Sequence, residues 1–260
     1  MIRSLYSART GLIGQELQLD VISNNLANVN TTGFKKSRAH FEDLFYQTLR
    51  MAGVDTAGGG QVPTGIQIGL GVRPTSVQKI FTQGDYADTG NELDFSIEGH
   101  GFFQILRDGE EYYTRAGDFK RDGDGYIVTA NGNRLQPEFA IPEGTTDIAI
   151  DSGGLLVAQN ANMETLGSIQ ITLHNFINPA GLKSMGGNLF AVTDASGQPV
   201  EANPGTDGMG TIAQRYLETS NVDVTEEMVN LIITQRAFEV NSKAITTADQ
   251  LLEIANSLKR

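Results

Sequence analysis

The residues with the most obvious chemistry in them are carboxylates set between glycines. Asp122-Gly123-Asp124-Gly125 has the outline of a calcium loop. Laid on the EF-hand pattern with Gly125 as the turn glycine, it offers Asp122 and Asp124 as ligands. The first ligand position would then be Lys120 and the bidentate last one Asn131. A cation where the site needs an anion disqualifies the metal, and a hairpin turn fits the same residues. His40, His100 and His174 are far apart, and no HExxH spacing, GxSxG elbow or phosphate-binding loop occurs. Gly69-Leu70-Gly71 lacks the third glycine and the following helix of a dinucleotide fingerprint. Without cysteine there is no thiol nucleophile, disulfide framework or thiolate metal site. One enzymatic option stays open, a glycosidase-like carboxylate pair, because sequence does not fix the separation of acidic residues. The expectation is otherwise a protein without catalytic residues, cofactor or metal.

The elements that dominate the chain are two helical seams, one near each end. Leu5, Leu12, Leu19 and Leu26 recur every seven residues, with Ala8, Gln15, Ile22 and Val29 between them. The alternating steps of three and four put all eight on one stripe, as in a coiled coil. Arg3, Ser7, Gln18 and Asn25 fall on the opposite, water-facing side. Ile233, Ala237, Val240, Ala244, Thr247, Leu251, Ile254 and Leu258 repeat the alternation at the other end. Leu231, Phe238, Ile245 and Leu252 form a second row of sevens beside that seam. Gly33 is placed to close the first helix in a left-handed conformation, with Phe34 as its apolar contact. Asp223 can cap the second, with Glu226 three residues on. Gly11 and Gly14 each cost the first helix roughly 1 kcal/mol relative to Ala. A helix that keeps both either packs something close against them or does not stand alone.

Between the seams the sequence predicts an antiparallel β domain. The period is two through Leu93, Phe95 and Ile97 and again through Ile169, Ile171 and Leu173. Short strands are expected at Phe102–Leu106, Tyr126–Thr129, Ile148–Ile150 and Leu155–Ala158. Asp108-Gly109, Asp122-Gly123, Asp124-Gly125 and Asn131-Gly132 are pairs that tight hairpins prefer. Gly181 to Gly210 is looser, with only Leu189–Val192 strand-like. Lys35-Lys36-Ser37-Arg38 looks like a solvated basic loop after a helix end, and Phe41, Leu44, Phe45 and Leu49 mark a short amphipathic segment. Met51 to Gly65, around Gly58-Gly59-Gly60, predicts a flexible or extended excursion, and Ile66, Ile68 and Leu70 bring the chain back as a strand. The expected fold is α+β. Its helical domain takes 1–34 and 222–260, paired as a coiled coil, with a connecting segment over 35–74 and a β-rich domain over 75–221.

Charge is concentrated in the middle. Residues 51–224 hold nine Lys/Arg and twenty-two Asp/Glu, which gives −13 of the chain's net −12, the ends nearly balancing. A body of that sign repels phosphate backbones, which argues against nucleic acid as a partner. No apolar run approaches the roughly 18 residues of a membrane span. Gln15, Glu16, Gln18 and Asp20 interrupt any apolar core of a cleavable signal peptide, so export would follow another route.

Three stretches carry a resemblance. Ser23-Asn24-Asn25-Leu26-Ala27-Asn28-Val29-Asn30-Thr31-Thr32-Gly33-Phe34-Lys35 resembles the N-terminal signature of bacterial flagellar rod and hook proteins. Glu218-Thr219-Ser220-Asn221-Val222 through Gln235-Arg236-Ala237-Phe238-Glu239-Val240-Asn241-Ser242-Lys243 is similar to their C-terminal one. Gly99-His100-Gly101-Phe102-Phe103 with Tyr113-Thr114-Arg115-Ala116-Gly117-Asp118-Phe119 resembles the β domain they share. Length and Gln67-Ile68-Gly69-Leu70-Gly71-Val72-Arg73-Pro74 make the likeness strongest to the distal-rod branch, with proximal rod and hook proteins as the alternatives. Outside this class, a secreted β-rich carbohydrate-binding or hydrolysing protein with helical oligomerisation arms would share the same elements.

The resemblance implies a structural subunit that polymerises with itself into a helical tube around the export channel and transmits torque to the hook. It implies proximal rod proteins, the hook protein, the surrounding basal-body rings and the flagellar export apparatus as partners. It places the protein in the basal body, in the periplasmic space, without a cleavable signal peptide or membrane insertion. The expected contact residues are Leu5, Leu12, Leu19, Ile22, Leu26 and Val29 at one end and Leu231, Ile233, Phe238, Val240, Ile245, Leu251, Leu252, Ile254 and Leu258 at the other. Asn24, Asn25 and Asn28 are expected to bridge backbone groups of a neighbouring subunit.

Overall fold

A computed structural model describes residues 2–53 and 63–257. The architecture is α+β: a helix near each end of the chain, with antiparallel strands between them in sequence. Two compact units form. Met1–Leu26, Ser37–Gln78 and Asp223–Arg260 make a helical unit, and Ala27–Lys36 with Lys79–Val222 makes a β unit. The division differs from the one expected, because 37–78 belongs with the helices and 27–36 with the β unit.

In the helical unit, helix α1 spans Ile2–Ala27. It stops well short of Gly33, because the run from Asn28 to Thr32 favours local turns over helix. The chain turns there through a bond from Thr31 N–H to the Asn28 carbonyl at 3.1 Å. Gly33 is left-handed, with φ +66°, but it caps no helix. It lies against Arg115 and Ala116, where a Cβ would come within 2.6 Å of the Ala116 nitrogen. Phe34 is buried with the Lys79 ammonium 4.7 Å above its ring.

Helix α2 spans Val224–Ser257. Asp223 caps it as expected, its Oδ1 accepting from the N–H groups of Thr225 at 2.7 Å and Glu226 at 3.2 Å. Two contacts set the helices against each other. Asn25 Nδ2 donates to Glu227 Oε1 at 3.2 Å, and a Cβ on Gly11 would meet Asn241 Nδ2 at 3.1 Å. From 11 to 25 and from 227 to 241 are both 14 residues, run in opposite order, so the pairing is antiparallel along about 21 Å of helix. The missing side chain of Gly11 lets Asn241 in, and Gly14 faces Phe41 and Val72 in the same way.

Strands Ser37–Asp43 and Val72–Lys79 pair, as do Tyr46–Arg50 and Ile66–Gly69. Bonds from Leu44 N–H to the Gly71 carbonyl and from Leu70 N–H to the Phe45 carbonyl make the two pairs one long ribbon. The amphipathic spacing of Phe41, Leu44, Phe45 and Leu49 is therefore not helical, because a partner strand supplies the backbone hydrogen bonds. The tip of the Met51–Gly65 excursion, including Gly58-Gly59-Gly60, lies outside the described residues.

The β unit holds the core. A seven-stranded sheet runs in the order Lys183–Gly186, Leu189–Ala191, Glu110–Thr114, Phe103–Arg107, Arg134–Leu135, Ile127–Val128, Lys120–Arg121. A three-stranded sheet joins Asp147–Ile150, Leu155–Gln159 and Thr165–Gln170. Phe95, Ile97, Phe103, Ile105, Phe119, Leu156 and Leu173 meet in one cluster, and Phe102, Tyr113, Phe176 and Phe190 in a second. Asp108 and Gly109, with φ +54° and +84°, form the two-residue turn between Arg107 and Glu110 that their types require. Asp122-Gly123-Asp124-Gly125 is also a hairpin turn, where Asp122 Oδ1 accepts from the Gly123 N–H at 2.7 Å and joins strands Lys120–Arg121 and Ile127–Val128. The looser stretch from Gly181 contains three short strands, Lys183–Gly186, Leu189–Ala191 and Val200–Ala202.

Candidate assembly surface and buried ion cluster

Helix α2 carries two rows of alternating threes and fours, and they have opposite fates. Glu227, Thr234 and Ala248 are its buried residues, and Leu231, Asn241, Ile245 and Leu252 beside them are partly buried. Phe238, on the same row, is 38% exposed. This is the row that faces inward within the chain. The seam read from sequence faces out: Ile233 is 60% exposed, Val240 65%, Leu251 50% and Ile254 57%. Met228, Val229 and Ile232 extend that apolar surface toward the start of the helix. Leu258 lies outside the described residues.

On α1 the inward stripe keeps Ile22 of the expected seam and is otherwise shifted by one residue. Gly14, Val21, Ile22 and Asn25 are buried, while Leu5, Leu12, Leu19 and Leu26 are partly buried along its flank. Asn28 and Val29 lie beyond the helix end and belong to the β unit. Asn24 is exposed. Asn25 is only 1% exposed, contrary to both its water-facing placement and its expected role toward a neighbour. Its Nδ2 donates to the Ser37 carbonyl at 2.9 Å as well as to Glu227, and its Oδ1 accepts from the Ser37 N–H at 2.8 Å. The amide is consumed inside the chain, tying the first strand to both helices of the unit. Asn28 accepts at Oδ1 from the Thr31 hydroxyl at 3.2 Å.

The ribbon adds a second exposed apolar surface. Phe45, Tyr46, Leu49, Met51, Ile66 and Ile68 are all exposed on it. Soluble monomers seldom leave contiguous apolar surface of this kind uncovered. Among the described residues no helix is long and apolar enough to cross a membrane.

In the β unit the sequence reading missed three charged residues. Lys35, read there as solvated, is 1% exposed. Its Nζ donates to Glu218 Oε1 at 2.5 Å and to the Thr82 carbonyl at 2.7 Å. Arg115 Nε donates to Glu218 Oε2 at 2.9 Å, and its Nη1 to the carbonyls of Gly99 and Gly101 at 2.9 and 2.8 Å. Burial alone would push the Glu218 carboxyl up, but Arg115 and Lys35 outweigh it and hold the group below its ordinary value. Burial lowers the Lys35 ammonium against the pull of Glu218. Each member comes from a different one of the three stretches that carried the resemblance. Lys35 and Glu218 stand 183 residues apart in sequence, so only the fold joins them.

Comparison with known proteins follows the same three stretches. A family described as flagella basal body rod protein matches residues 5–35. The flagellar hook protein FlgE/F/G D1 domain matches 96–158, and the flagellar basal body rod FlgEFG protein C-terminal family matches 213–258. The flagellar basal-body rod protein FlgG of Buchnera aphidicola (from Acyrthosiphon pisum) is 48% identical over 261 residues, covering 99% of this chain and 100% of that protein. FlgG of Borreliella burgdorferi is 46% identical over 264 residues and FlgG of Bacillus subtilis 40% over 266, each covering 100% of both chains. Family signatures at both ends and in the middle, with relatives aligned over the full length, give one conclusion: this chain belongs to the flagellar basal-body rod protein family.

Proposed function

We propose that this chain is a non-enzymatic structural subunit that polymerises into the distal rod, the shaft that carries torque to the hook. The observation that carries the reading is the outward row of α2. Ile233, Val240, Leu251 and Ile254 are aliphatic, spaced for helix packing, and left uncovered in a single chain. Burying one such side chain returns about 1.5–3 kcal/mol, so an α2 packed against neighbouring copies gains what the lone chain forgoes. Coiled-coil packing of the terminal helices between copies, around a central channel, uses this row. The exposed ribbon residues Tyr46, Leu49, Ile66 and Ile68 offer a second contact between subunits. In this reading the subunit passes through the flagellar export apparatus, works in the periplasmic space, and meets proximal rod proteins, the hook protein and the surrounding rings.

Sedimentation of the purified chain across a range of concentrations, with electron micrographs of the heavy fraction, tests the proposal. The expected result is a concentration-dependent shift from monomer to straight tubular polymers. A chain that stays monomeric at the highest soluble concentration would overturn it.

A further inference from the structure

The chain crosses out of the β unit at four points, next to residues 27, 36, 79 and 222. The segments just inside those crossings are bonded to one another. Lys36 N–H donates to Asn221 Oδ1 at 2.7 Å, and Asn221 Nδ2 donates to the carbonyls of Ile80 and Thr82 at 2.9 and 3.1 Å. Ile80 N–H donates to the Lys36 carbonyl at 2.9 Å, and Lys79 Nζ to the Lys35 carbonyl at 3.1 Å. The Lys35–Glu218–Arg115 cluster lies beneath this braid, and Arg115 fastens it to the loop carbonyls of Gly99 and Gly101.

The direction of the two outer segments matters. Gly33 N–H meets the Glu218 carbonyl at 2.8 Å, and three residues further on along both segments Lys36 N–H meets Asn221. The segments therefore run parallel. The N-terminal end of the chain enters before Gly33, and the C-terminal end leaves after Asn221. Tension between the two ends slides one segment along the other, so the cross-bonds are loaded together and do not open one at a time. A slip also draws Glu218 away from its cations inside a dry interior, where an uncompensated charge is costly.

We propose that Lys35, Glu218 and Arg115 form a mechanical clamp that carries tension between the chain's ends across these parallel segments and into the β core. The clamp goes beyond the assembly reading and does not depend on it. Buried ion pairs often add little net equilibrium stability. Their distinctive contribution here is resistance to displacement along one axis.

Holding single full-length chains by their two ends under constant force tests the clamp. The wild-type chain should rupture in one long-lived step that frees the chain between Lys36 and Glu218, a gain of roughly 60 nm at about 3.5 Å per residue. Glu218→Gln removes the shared anion. Lys35→Met removes one cation and leaves the Arg115–Glu218 pair balanced, so it remains informative if the Gln variant does not fold. Each should shorten the lifetime of that step at least about tenfold, a barrier change of roughly 1.4 kcal/mol. Arg134→Met, which breaks an exposed pair with Glu138, should leave it unchanged. A wild-type lifetime for Lys35→Met, or a wild-type step of a different length, would overturn the clamp.

Discussion

Among single residues, His174 shows how burial turns a side chain into a pH sensor. It is buried in the β unit, its ring 5.3 Å from that of Tyr113, and its Nδ1 has no hydrogen-bond partner. Glu201, its cross-strand partner, and Glu111 both favour the charged form, yet burial dominates and lowers its pKa below the ordinary imidazole value. In the window below about 6.5 the unfolded chain takes up a proton that the folded chain refuses. This contribution to stability is therefore complete above that pH and falls as the solution is acidified, by up to about 1.4 kcal/mol per pH unit for one proton. Melting of the β unit from pH 8 to 5 should show a shallower slope in His174→Gln than in the wild type, and equal slopes would refute the assignment. Asn25 makes the complementary case. Asn25→Leu keeps the branched shape but strands both backbone groups of Ser37, and should cost the helical unit of the assembled chain about 1–3 kcal/mol, read as loss of helix at lower denaturant. Neither role was legible in the sequence. His174 was one of three scattered histidines, and Asn25 was a polar residue on a helix face that periodicity assigns to water. A buried hydrogen-bonded amide and a solvated one have the same letter.

At the scale of elements, the strands and turns of the β unit are legible in the sequence, while the ribbon strands Ser37–Asp43 and Tyr46–Arg50 and the faces of α2 are not. Strand positions follow from local rules, since two-residue turns such as Asp108-Gly109 demand positive φ and alternation marks the neighbouring strands. On α2 two rows share the alternation of threes and fours, and periodicity favours the more aliphatic one as inward. The inward row is the poorer one, with Glu227, Thr234, Asn241 and Ala248 interleaved among its larger residues. Small and polar residues there let α1 approach closely, as Gly11 does opposite Asn241. Hydrophobicity alone cannot say whether the richer row meets this chain or another copy. The two rows give opposite predictions for the same kind of change. Val240→Asp, on the outward row, should leave the helix content of the dilute chain unchanged, since it removes no buried contact within one chain, yet abolish polymers in sedimentation. Ala248→Asp, on the inward row, places an unpaired charge in the helix pair and should keep helix content low even at concentrations where the wild-type chain polymerises. Polymers from Val240→Asp at wild-type concentrations would reject the outward row as the contact.

For the whole molecule, the two units differ in how much of their order a single chain can sustain. The β unit buries fifteen apolar residues in its main cluster alone. Helix α2 has 34 residues, of which Glu227, Thr234 and Ala248 are buried, two of them polar. Fixing a residue's backbone costs roughly 1–2 kcal/mol. Full burial of an aliphatic side chain returns about 1.5–3 kcal/mol, and α2 in one chain achieves little of that. Most of its aliphatic surface is repaid only when Ile233, Val240, Leu251 and Ile254 are covered by other copies. Order in the terminal helices should therefore depend on assembly, while order in the β unit should not. Hydrogen exchange at rising protein concentration separates the two. Dilute chain should exchange the α2 amides rapidly, with helix content below that of the polymer, and keep the Phe103–Arg107 and Glu110–Thr114 amides protected. As polymers form, protection should spread through α2 and leave the β unit unchanged. Val240→Asp should hold α2 in the dilute-chain state at every concentration. If α2 is already protected in monomer at micromolar concentration, the helices order by themselves, and assembly must be limited by some other step.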